Sequence, residues 1–154
     1  LVPLALLGYL LYRRLSRPRV KVTPQIVVAA HEHALAELGA LRDSDLLVTG
    51  QYKVFYTRLS EIVREYLEAR YGVPAMEQTT WMIDRDLQRE KVPQVWRDEL
   101  VGTLKRADLV KFARQEVDTG AASDDLRRSR EAVQATGPQP TTGTEEAVPQ
   151  SAAG

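Results

Sequence analysis

Hydrophobic positions recur at intervals of three and four along most of the chain. No run of strict alternation interrupts them in the middle, so the pattern predicts helices and no sheet. The clearest stretch runs from about Gln51 to Tyr71. There Tyr52, Phe55, Tyr56, Leu59, Ile62, Val63, Tyr66 and Leu67 form one wide apolar stripe, with Lys53, Arg58, Glu61, Arg64, Glu65 and Glu68 on the opposite, solvated side. Gly72 is a natural helix stop, and Pro74 lies two residues beyond it.

Upstream, Ile26, Val27, Ala30, Ala34, Leu35, Leu38 and Leu41 predict a helix that starts near Thr23, with Pro24 tolerated in its first turn. Asp43, Ser44 and Asp45 break it, and Gly50 follows. Downstream, Thr79 and Thr80 are candidate N-caps for a third helix to about Arg89, its first turn supported electrostatically by Asp84. Pro93 opens a fourth, with Val95, Trp96, Leu100, Leu104, Ala107, Leu109, Val110 and Phe112 as its stripe. The register of that stripe is imperfect, which predicts a kink or break near Ala107–Asp108. Ser123 caps a last helix of about twelve residues to Ala135, anchored by Leu126, Ala132 and Val133. The expected fold is all-α: a small helical bundle over residues 26–135.

The flanks read differently. Leu1 to Tyr12 carries no charge, and Arg13, Arg14, Arg17, Arg19 and Lys21 follow at once. An apolar run abutting a basic cluster reads as the cytoplasmic end of a membrane span. Twelve residues rise only about 18 Å as a helix against a hydrocarbon core of roughly 30 Å, so the span is expected to extend upstream. A secretory signal peptide has the opposite order of charge and apolar run. Burial as a core helix fits poorly with so dense a basic flank. Residues 1–15 are therefore expected to end a transmembrane helix and 16–25 to form a basic juxtamembrane linker. Residues 136–154 are rich in Pro, Gly, Thr, Ala and Gln with almost no large apolar side chains, and are expected to be a disordered tail.

Composition narrows the chemistry. Among 154 residues, 21 basic side chains balance 21 acidic ones, so the basic excess of a nucleic-acid binder is missing. With no cysteine, disulfides, thiolate metal sites and a thiol nucleophile are excluded. His31 and His33 are the only histidines, and spacing of two places them on opposed helix faces, which suits surface or capping roles better than metal ligation. No serine lies in a nucleophile-elbow context, and no glycine-rich phosphate loop is present. No glutamate has a histidine three residues on, as a di-iron bundle would need. Asp108 and Lys111 suggest a structural ion pair.

Three blocks carry a resemblance: His31-Glu32-His33-Ala34-Leu35-Ala36-Glu37-Leu38; the run from Tyr52 through Tyr71-Gly72-Val73-Pro74-Ala75-Met76-Glu77-Gln78-Thr79-Thr80; and Arg106-Ala107-Asp108-Leu109-Val110-Lys111-Phe112-Ala113. Over roughly residues 28–135 they resemble the cytoplasmic region of bacterial membrane proteins encoded beside MoxR-type AAA+ ATPases and von Willebrand factor A proteins in aerotolerance (Bat-type) operons. Where that pattern has acidic residues after the paired threonines, this chain has Trp81 and Met82. The resemblance implies a single-pass inner-membrane protein with its helical domain in the cytoplasm. It implies an accessory role in a chaperone-like ATPase system, with the ATPase or a von Willebrand A protein as partner, and brings no catalytic residues with it.

The expectation is thus a non-enzymatic interaction or scaffolding module without cofactor, metal or evident small-molecule substrate. Trp81, Met82 and Trp96 are its candidate partner-binding residues, since tryptophan is enriched among interface anchors. A hydrolase or ligand-binding domain with a site assembled from scattered residues, or a passive membrane tether, are the competing readings.

Overall fold

Thr23 ends the first extended segment and accepts a hydrogen bond through its side chain from the Ile26 amide, which starts α1 (Pro24–Arg42) with proline in the first turn. In the computed structural model, which describes residues 21–138, four further helices follow: α2 (Tyr52–Tyr71), α3 (Thr80–Arg89), α4 (Gln94–Phe112) and α5 (Thr119–Thr136). Among the described residues there is no strand. Residues 1–20 and 139–154, which include the expected membrane segment, half of the linker and most of the expected tail, lie outside the described residues. No described helix is long and apolar enough to cross a membrane.

The four long helices pack in a ring in the order α1, α2, α4, α5, with α5 closing back on α1. Successive long helices run antiparallel, and α3 is a short helix in the connection from α2 to α4, packed on α4. The α2 stripe supplies the centre. Phe55, Tyr56, Leu59, Ile62, Val63, Tyr66 and Leu67 are all buried, and they meet Ala34, Leu38 and Leu41 of α1, Leu100, Leu104 and Ala107 of α4, and Leu126, Ala132 and Val133 of α5. Gly72 stops α2 in the left-handed conformation at φ 68°, which glycine adopts without steric cost.

Four expectations are corrected. The fourth helix does not break at Ala107–Asp108, because it runs unbroken to Phe112. Its imperfect stripe is resolved by leaving Val95, Leu109 and Phe112 exposed while Val101, Thr103 and Val110 turn inward. The last helix is capped by Asp118, whose carboxylate accepts from the Ala121 amide, so it starts at Thr119 and Ser123 lies inside it. It also passes Ala135. Thr136 is 7% exposed; its hydroxyl lies 2.8 Å from the Tyr66 hydroxyl, and its carbonyl accepts from Arg70 Nε at 2.9 Å. Residue 136 therefore belongs to the bundle. Gly137 seals this end, because a Cβ there would fall 2.3 Å from the His31 ring. Asp84, expected to support the start of α3, instead pairs with Arg97 of α4 at 3.3 Å.

Two stability outcomes follow from this packing. Leu59→Ala, at a fully buried position, is expected to cost about 2–5 kcal/mol in denaturant melts. A chain ending at Ala135 is expected to lose about 1–3 kcal/mol, since Tyr66 and Arg70 each lose a buried partner; a chain ending at Pro138 keeps both.

Candidate functional site

Arg64 stands among the charged positions that the periodicity assigns to the solvated face of α2, yet its side chain is only 13% exposed. One nitrogen of its guanidinium donates to the carbonyls of Ala75 (2.8 Å) and Gln78 (2.6 Å), and the other donates to Thr80 Oγ1 at 3.2 Å. Thr80 passes the connection on, donating to Asp108 Oδ2 at 2.6 Å. Asp108 also lies 3.7 Å from Lys111, its expected partner one turn away, and Lys111 donates to the buried Ser60 hydroxyl at 3.2 Å. The loop after Gly72 and the end of α4 are thereby laced to α2 through side chains. Burial lowers the pKa of Arg64 and the nearby Asp108 carboxylate works against that; an arginine nevertheless stays charged.

The lacing decides where the candidate residues go. Thr80 is tied to Asp108, so the residues that follow each of them, Trp81 and Leu109, emerge at the junction of α3 and α4. Trp81 is 67% exposed, with the Arg85 guanidinium 5.2 Å above its ring. Leu109 is 45% and Phe112 is 80% exposed, and Lys111 sits 5.2 Å from the Phe112 ring. Met76, in the loop that Arg64 holds, is exposed as well. Met82 is half-buried beside the buried Ile83. Trp96 is elsewhere: it packs half-buried against the core near the start of α4 and lines a cavity at the other end of that helix from Phe112. The three candidates therefore do not form one surface. Leu109 and Phe112, which the periodicity assigns to the core stripe, are exposed instead, just after the Asp108 that Thr80 bonds. Their signal in the sequence is the misfit of the α4 stripe itself.

A second polar cluster lies inside the bundle. Asp125 of α5, 3% exposed, accepts from the Tyr56 hydroxyl at 2.6 Å. Arg106 Nε lies 2.7 Å from the same carboxylate oxygen, at ion-pair distance though without good hydrogen-bond alignment. Next to it, Ser129 donates to Thr103 at 3.1 Å across the α4–α5 seam. Burial pushes the Asp125 carboxyl above the usual carboxylate range, against the Tyr56 hydrogen bond and the charge of Arg106. Burial and the facing carboxylate push the Tyr56 hydroxyl up as well. The wholly buried Tyr56 hydroxyl thus ties α2 to α5 through the Asp125 carboxylate, which borders a small pocket with Thr103, Arg106 and Arg128. His31 is wedged half-buried against Gly137 with Nδ1 lacking a hydrogen-bond partner, and it caps no helix; His33 is exposed. Among the described residues no three His, Asp or Glu side chains converge as a metal site. No protein-family profile, curated protein or solved structure matches the chain.

The Asp125 cluster generates a pH dependence. A carboxyl with a raised pKa in the fold keeps its proton over a window in which the unfolded chain has lost it. Its contribution is therefore present below the unfolded pKa and declines as pH rises through the folded one. Measured against Asp125→Asn, the wild-type chain is expected to gain relative stability as pH falls from about 7 toward about 4. A relative loss over that range would mean that Arg106 and Tyr56 outweigh burial.

Proposed function

We propose that the bundle is a non-enzymatic interaction module on the cytoplasmic side of a bacterial inner membrane, docking a MoxR-type AAA+ ATPase or its von Willebrand A companion. The resemblance of the three blocks supports the partner, and the order of apolar run and basic cluster supports the membrane side. The observation that carries the docking reading is the outward face of the α3–α4 junction. Trp81, Leu109 and Phe112 are exposed there on helices that are rigidly tied together beneath them. The core is closed without these side chains, so their burial is left for a partner. The resemblance blocks contribute to this junction twice over, since the loop from Gly72 to Thr80 and the segment from Arg106 to Ala113 meet at the Thr80–Asp108 bond.

The test separates binding from stability. Trp81→Ala and Phe112→Ala are expected to weaken capture of the purified ATPase or von Willebrand A protein by about 2 kcal/mol each, close to thirtyfold. Melting temperature should stay within about 2 °C, because surface substitutions away from the core change stability by no more than about 0.5 kcal/mol. Undiminished capture by both folded variants would remove this face from the interaction.

A further inference from the structure

A cavity of about 570 Å³ lies at the end of the bundle where all five helices have a terminus. Val22 reaches it just before α1, and Ala135 to Gly137 border it at the close of α5. Its walls carry two cations, Arg70 and Lys91, two amphipathic rings, Tyr71 and Trp96, and a single acid, Glu90.

Both cations are held ready. Arg70 spends Nε on the Thr136 carbonyl and lies 4.9 Å over the Tyr71 ring, which fixes its plane. Lys91 ends α3 in the left-handed conformation at φ 56°, a position where glycine is the low-cost occupant. The amide of Lys91 returns to Gln88 and that of Val92 to Leu87, so the strained turn is locked by two backbone bonds. Lys91 makes no ion pair among the described residues, and its side chain is exposed at the rim. Around it, Val22 and Val95 are exposed apolar residues next to the starts of α1 and α4.

We infer that this end of the bundle is a docking surface for an anionic phospholipid bilayer, with a lipid phosphate seated between Arg70 and Lys91. The occupant follows from what adjoins the cavity. The chain reaches Val22 through Arg13, Arg14, Arg17, Arg19 and Lys21, after an uncharged run. The basic run is contiguous in sequence with Val22, so the chain enters the bundle at the end that carries Arg70 and Lys91. A guanidinium donates two parallel hydrogen bonds to phosphate, a lysine adds point charge, and Trp and Tyr favour the headgroup level. The inference rests on the membrane-anchored reading above and adds to it a contact that fixes the bundle's orientation, leaving Trp81 and Phe112 at the far end of α4.

The experiment uses the full chain with Trp81→Phe, so that Trp96 is the sole tryptophan. It is mixed with vesicles of phosphatidylcholine alone, or of phosphatidylcholine and phosphatidylglycerol in equal parts, carrying bromine high on the acyl chains. Trp96 emission should be quenched in the anionic vesicles and much less in the neutral ones. Arg70→Gln and Lys91→Gly should each weaken the anionic-vesicle response by about fivefold, the effect of one interfacial charge. Lys91→Gly relieves the backbone, so its loss cannot be ascribed to misfolding. Equal quenching in both vesicles, no effect of either substitution, or the same emission change with inorganic phosphate and no vesicles would each overturn the lipid assignment. Flotation keeps the two readings apart. A chain that floats with both vesicles while Trp96 stays unquenched retains its anchor and loses this contact, whereas one that floats with neither loses both.

Discussion

A guanidinium cannot shed its charge at any pH a cell tolerates, so burying one obliges the fold to surround its donors with acceptors. Arg64 imposes that condition on this bundle. Its donors take the carbonyls of Ala75 and Gln78, which as loop groups have no helical partners of their own, and the hydroxyl of Thr80. The irregular stretch after Gly72 is thereby satisfied without solvent and held flat against α2. Replacing Arg64 would orphan several groups at once, which costs more than the sum of ordinary surface hydrogen bonds. Because Thr80 is both acceptor from Arg64 and donor to Asp108, the same contact sets the position of α3 on α4.

The exterior inherits its character from that seam. α3 is tied to α4 both at Thr80–Asp108 and at Asp84–Arg97, and the apolar stripe of α4 does not face the core along its whole length, for Leu109 and Phe112 are exposed. The opposite end of α4 is different in kind: Trp96 is half-buried there in a cavity rimmed by Arg70 and Lys91. On the proposed reading the two ends have separate partners, a bilayer at one and a protein at the other. The rigid length of α4 between them would keep the docking face away from the lipid.

The Tyr56–Asp125–Arg106 cluster shows how the α5 side is specified with few large apolar residues. Where α5 offers Ala122, Ser129 and Ala132, close approach to α2 and α4 becomes possible, and the polar groups that this approach buries are matched in pairs. Such matched pairs favour one register of α5 over its neighbours, since a shift by one residue would strand a buried carboxylate.

Local signals in the sequence were enough for helix existence and for most helix starts and stops. Thr23, Gly72 and Thr79 act through hydrogen bonds and dihedral preferences that reach no further than a turn, and the α2 stripe is regular because one helix face meets the core along its full length. The α5 start at Asp118 was legible in kind, as another capping side chain, but competed with Ser123 and could not be chosen without the packing. The exposed triad of Trp81, Leu109 and Phe112 was legible only in part. Trp81 stood out by type, whereas Leu109 and Phe112 were indistinguishable from core residues until the burial along α4 was known. The interior position of Arg64, the place of Thr136 in the bundle and the meeting of Arg70 with Lys91 were decided by tertiary structure alone. Each depends on groups far apart in the chain, and a side chain's surroundings follow from helix periodicity only where the helix has one neighbour and one solvent face.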